Sequence, residues 1–194
     1  MRAAILTIGH SRHPIERFIA LIEAAQVTAV ADLRSAPVSR FAPHFNKNAL
    51  ARSLAARGID YVFLGKELGG RPARPDLYTR GVADYEKMAA APEFGAGLAR
   101  LGELAERHRV AAMCAEADPL DCHRCLLVGR ALFEAGHDVA HILASGEIVT
   151  QREIENRLLA LANLADDDFL SPSRHERVAE AYRARNRKAG YAKH

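Results

Sequence analysis

Short apolar runs alternate along the chain with stretches in which apolar residues recur every three or four positions. That is the pattern of buried strands alternating with amphipathic helices. Residues 3–8 form the first run, ended by Gly9, and predict a strand. From Pro14 to Ala25 the residues Ile15, Phe18, Ile19 and Ile22 fall at helical spacing, with the proline suited to a first turn. Val27 to Leu33, Ile59 to Leu64, Val110 to Ala115 and Val139 to Leu143 predict the remaining strands. Lys47 to Arg57, Glu93 to His108, Cys122 to Ala135 and Thr150 to Leu164 predict the helices. Gly58 and Gly136 stand where two of them end, and Thr150 with Glu153 forms a capping box. The expectation is an α/β fold: one three-layer domain over residues 1–165, with a mostly parallel five-stranded sheet flanked by helices. Residues 166–194 read as a charged extension, partly helical or flexible, with a short helix over 174–187. After about residue 170 few apolar residues lie beyond Val178 and Tyr182, so removal of that tail is expected to leave the body folded.

Composition narrows the class. A chain of 194 residues, 49% hydrophobic and 26% charged, buries enough surface to fold without disulfides or structural metals. Three cysteines without framework spacing point to a reducing compartment, and a cytoplasmic location is expected. No signal pattern and no run of roughly 18 apolar residues suggests a membrane segment. Lys plus Arg is 27 against 24 Asp plus Glu, which excludes a polycation. The charge is uneven: residues 34–80 carry nine basic against three acidic residues, and 171–194 carry seven against two, with the acidic run Asp166-Asp167-Asp168 between them.

Parallel sheets collect ligands where strands end and helices begin. The first such junction is Gly9-His10-Ser11, where a glycine admits close approach and Ser11 and His10 can serve an anion. The second is Asp32-Leu33-Arg34, whose charged pair shares one side of the strand and either binds a ligand or satisfies itself. Arg40, Phe41, His44 and Phe45 follow, basic groups interleaved with aromatics as suits a nucleotide or a single strand. The third, Gly65 to Arg71, lacks the phosphate-loop order, and no G-x-G-x-x-G occurs, so no cofactor is specified.

The fourth junction runs from Cys114 to Arg124 and carries the most chemistry. With Asp121 as N-cap, Cys122, His123 and Arg124 occupy a first helical turn, where helix dipole and cations favour a thiolate. Cys125 reads as a buried inert thiol. A phosphatase-type loop, with arginine six positions after the cysteine, is disfavoured: those positions are Leu120 and Val128. Cys114, Glu116, Cys122 and His123 could instead hold a metal, with His141 as a further ligand or base.

Thr7-Ile8-Gly9-His10-Ser11, Asp32-Leu33-Arg34 with Pro37, Leu68-Gly69-Gly70, Cys114-Ala115-Glu116, Cys122-His123-Arg124 and His141-Ile142, in this order, resemble the prokaryotic domain-of-unknown-function family numbered 488. The resemblance implies a compact α/β domain marked at these junctions, and no activity. The residues themselves lead to an enzyme acting on an anionic substrate, such as a nucleotide or nucleic-acid component. Cys122, His123, Glu116 and His10 are its expected catalytic groups; Gly9, Ser11, Asp32, Arg34, Arg40 and Arg124 are its expected binding groups. A non-catalytic nucleic-acid-binding module and a metal-binding protein are the alternatives.

Overall fold

The computed structural model describes residues 5–165 and 172–193, so the acidic run at 166–168 lies outside the described residues. Eight strands and seven α-helices are present among them: β1 (Ile5–Gly9), α1 (Ile15–Ala24), β2 (Ala29–Asp32), α2 (Lys47–Ala55), β3 (Asp60–Phe63), β4 (Tyr78–Thr79), β5 (Val82–Ala83), α3 (Tyr85–Ala89), α4 (Pro92–Arg107), β6 (Val110–Cys114), α5 (Arg130–Glu134), β7 (Val139–Ile142), β8 (Ile148–Thr150), α6 (Gln151–Leu161) and α7 (Arg174–Ala189).

The main sheet has six strands in the order β3-β2-β6-β1-β7-β8. All pairs are parallel except β7 with the edge strand β8. The sixth strand corrects the five expected, because the three residues Ile148–Thr150 make too short a run to read as a strand. β4 and β5 form a separate two-stranded hairpin.

Side chains of the inner strands β1, β2, β6 and β7 alternate between two buried faces, which is why those strands read as apolar runs. Leu6, Ile8, Val30, Ala111 and Met113 join Phe18, Ile22, Leu50 and Leu54 of α1 and α2 on one face. Ile5, Ala29, Ala31, Ala112 and Cys114 face the other layer with Leu101 of α4, Leu158 of α6 and Tyr182 of α7. No helix among the described residues is long and apolar enough to cross a membrane.

The C-terminal helix is part of this second layer. Val178, Ala181 and Tyr182 are buried, and the Gln151 amide donates to the Tyr182 hydroxyl at 2.6 Å. This packing runs against the expectation that the tail after about residue 170 can be removed without unfolding the body: its few apolar side chains are buried in the core.

Candidate functional site

β1, β6 and β2 are neighbours, so the first, second and fourth junctions open at one sheet edge. Beyond the strands, His10 N–H donates to Cys114 O and Ser11 N–H to Ala115 O, both at 2.8 Å. These bonds hold the two junctions side by side. Gly9 is required here, since a Cβ would lie 1.8 Å from the Glu116 carbonyl oxygen. Its role is to admit the 115–117 backbone; it does not form the floor of a ligand site.

The helix start differs from the expected one. Asp118, followed by Pro119, caps a short 3₁₀ turn over Pro119–Asp121, accepting from Leu120 N–H at 2.8 Å. Cys122 is extended (φ −139°, ψ 139°), and its carbonyl accepts the first helical bonds, from Cys125 and Leu126 N–H. Cys122, not Asp121, is thus the N-cap. Arg124 N–H donates to its Sγ at 3.4 Å, a sulfur taking the place of the usual capping oxygen. Asp121 instead pairs with Arg185, and Asp118 also with Arg157. A wide π-helical turn, Arg124–Gly129, leads from the cap into α5.

Around Cys122 the groups are close. Its Sγ lies 2.9 Å from Glu116 Oε2, within hydrogen-bond distance of that carboxyl. Glu116 is exposed as a residue, but the protein packed about its carboxyl, together with Cys122, raises its pKa to about 7. Burial opposes ionisation of Cys122, yet the Cys114 thiol, Arg124 and His123 outweigh it and hold Cys122 well below the usual thiol range. Burial and the neighbouring Cys122 push Cys114 up, and burial pushes Cys125 to about 12. His123 Nε2 donates to the Leu33 carbonyl at 3.2 Å, and burial works against its charge while Cys122 favours it, the balance raising its pKa.

Arg124 is fully buried. Its guanidinium donates to the carbonyls of Glu116 (2.6 Å) and Ala117 (2.9 Å), which fixes the loop carrying Glu116. It lies beneath the site and does not line its cavity. Arg34 and Asp32 satisfy each other: Nε and Nη2 meet the two carboxylate oxygens at 2.9 and 2.6 Å, and Tyr61 OH adds a third bond at 2.7 Å. Arg34 Nη1 donates to His10 Nε2 at 3.2 Å, so His10 carries its proton on Nδ1, bonded to Ser11 O. Burial and then Arg34 lower the His10 pKa to about 4, leaving a neutral imidazole stacked on Phe45 with ring centres 4.2 Å apart.

A cavity of about 420 Å³ is lined by His10, Arg34, Glu116, Cys122 and His123, which brings together five of the expected residues. Asp32 sits behind Arg34, and neither Ser11 nor exposed Arg40 lines the cavity. His141 is also elsewhere: it is buried between Thr7 Oγ1 (2.8 Å) and Gln151 Oε1 (2.7 Å). Sequence reasoning missed Ser35, Arg71, Tyr85 and Tyr191, all of which line the cavity. Arg71 closes the glycine-rich third junction, where the close approach of Gly70 to His123 was the available signal: a Cβ there would lie 2.6 Å from Nδ1. Tyr191 comes from the far end of the chain and had none.

Cys114, Cys122 and His123 offer metal-ligand atoms within 4.8 Å of one another. His123 Nδ1 lies 3.8 Å from Cys114 Sγ and 3.9 Å from Cys122 Sγ. Tetrahedral zinc bond lengths imply ligand separations of about 3.6 Å, so the three could close on such an ion.

Comparison with curated proteins and with solved structures returns no match. A family model does match, described as "Domain of unknown function DUF488", over residues 14–131, more than half of the chain. The segment contains Arg34, Arg71, Cys114, Glu116 and Cys122-His123-Arg124, and with that extent of agreement this chain belongs to the DUF488 family.

Proposed function

We propose that the protein is an enzyme that uses the Cys122 thiolate on an anionic small molecule, such as a nucleotide or nucleic-acid component. The observation that carries this reading is the placement of Cys122 Sγ on the cavity wall, under a helical N–H and 2.9 Å from Glu116 Oε2. A thiolate poised there is a nucleophile, and the carboxyl beside it holds the displaced proton ready for a leaving group. His123 and Arg124 offset the negative charge. His10, neutral and with both ring nitrogens bonded, to Arg34 and to the Ser11 carbonyl, shapes the cavity wall.

Alkylation with iodoacetamide at mildly acidic pH, followed by peptide mapping, tests this. Cys122 is expected to react well before Cys114 or Cys125. Equal labelling of the three, or none at Cys122 in metal-free protein, would overturn the thiol mechanism.

The spacing of Cys114, Cys122 and His123 favours one second reading, a bound metal ion, with the His123–Leu33 carbonyl bond holding the ring as such sites do. The same mapping before and after chelation separates the two. Protection of Cys122 that vanishes only after chelation, with stoichiometric metal by elemental analysis, assigns these side chains as ligands.

A further inference from the structure

Resting on the thiol reading, we infer that Arg71, seated against Tyr191 of the C-terminal segment, is the group that selects anionic substrates for Cys122. The argument begins with the cations already committed. Arg34 lines the cavity, but its charge is matched by Asp32 in a buried bidentate pair. Arg124 lies beneath the cavity with its Nη1 and Nη2 on the loop carbonyls. His10 is held neutral by its bond from Arg34 and its burial. Glu116 and Asp121 line the same wall, the first beside the Cys122 thiol and the second already paired with Arg185.

Arg71 is different. It is exposed, it lines the cavity, and among the described residues no carboxylate pairs with it. Two contacts nonetheless fix it in place. Its backbone N–H donates to Ser35 Oγ at 3.0 Å, and its guanidinium lies 4.7 Å over the Tyr191 ring. Tyr191 is itself anchored: its carbonyl accepts from Ala83 N–H at 2.9 Å, Ala192 bridges to Val82, and Lys193 N–H donates to Gly81 O at 2.9 Å. The chain after α7 thus runs beside the β4–β5 hairpin as a third short strand and delivers an aromatic face to the rim. A guanidinium stacked on an aromatic face keeps its in-plane N–H donors for a carboxylate or phosphate, and loses little entropy in binding one. Tyr191 lies outside the family-matched residues 14–131, so this half of the rim is set by a segment beyond the match.

Paired alkylating reagents read this charge directly. Iodoacetate and iodoacetamide attack the same thiolate and differ in that one carries a carboxylate. The ratio of their rates at Cys122 therefore reports the cavity's preference for an anion, with thiolate population cancelled. Metal-free protein is mapped by mass spectrometry for wild type, Arg71→Gln, Arg71→Lys and Tyr191→Leu. Arg71→Gln is expected to lower the iodoacetate-to-iodoacetamide ratio about five- to tenfold, the effect of removing one nearby charge. Arg71→Lys should keep most of the ratio, and Tyr191→Leu should lower it in part, by releasing the side chain. An unchanged ratio in Arg71→Gln, with Cys122 still labelled, overturns the role of Arg71 and leaves the thiol reading standing. Failure of both reagents at Cys122 in the wild-type protein overturns the thiol reading and this inference with it.

Discussion

A buried neutral imidazole ties single residues to solution behaviour. His141 accepts from Thr7 Oγ1 on one nitrogen and donates to Gln151 Oε1 from the other, so the neutral ring is fully bonded in its buried place. Burial, only partly countered by Gln151, lowers its pKa from 6.5 to about 4. The unfolded chain then takes up its proton first as pH falls. The stability that His141 contributes is full above pH 6.5 and is lost progressively down to about 4. Between about pH 7 and about pH 5 the loss is about 2 kcal/mol from this residue. His10 acts with the same sign. Urea unfolding at the two pH values should show this slope, and His141→Asn should flatten it; an equally steep variant would reject the assignment. At this scale the sequence was partly legible. The spacing of Asp32 and Arg34, and the composition at Cys122, led to residues that the fold gathers at one sheet edge. The partner of each group was not legible, because His141 meets Gln151 and Arg71 meets Tyr191 only through tertiary packing.

Among the elements, the apolar runs located the central strands well because strands buried on both faces need apolar residues at every position. Short edge elements escaped: β8 has three residues, and β4 and β5 have two each, too few for any period to show. The start of the helix that follows Cys122 was misread for a different reason. Two candidate caps, Asp118 and Asp121, compete within four positions, and Pro119 favours the first by supplying a preset first-turn residue. The consequence is functional: the extra 3₁₀ turn moves Cys122 onto the cap and turns Asp121 outward to Arg185. Asp118 thus helps Arg124 and Arg185 hold the 115–121 loop, with its bond to Leu120 N–H and its pairing to Arg157. Asp118→Ala is expected to cost about 1 kcal/mol, the usual loss of a cap. Because the loop also carries Glu116, the same variant should slow iodoacetamide labelling of Cys122. A melting curve and a labelling rate both equal to wild type would show that the loop is held by other contacts.

Across the whole molecule, α7 links the core to the rim of the site. Its inner face buries Val178, Ala181 and Tyr182, with Arg130 stacked at 4.7 Å over the Tyr182 ring. Farther along, Arg185 Nε donates to Leu120 O at 2.9 Å. Asn186 accepts from Tyr85 N–H and donates to Ala83 O, also at 2.9 Å. One helix thus supports the loop before Cys122, the start of α3 at the cavity wall, and the hairpin that carries Tyr191. Composition concealed this, since α7 is mostly charged and its apolar stripe is only one residue wide per turn. Tyr182→Ala removes a large buried side chain and should cost about 3–5 kcal/mol. For a chain of this size that lowers the melting temperature by about 10 °C. Removal of residues 172–194 should cost more, because it uncovers the second core face and also strips the rim from the cavity. Calorimetry of both variants provides the check. A truncated protein that melts with the wild type would mean that α7 rests on the surface, and the coupling of its burial to the shape of the site would fail with it.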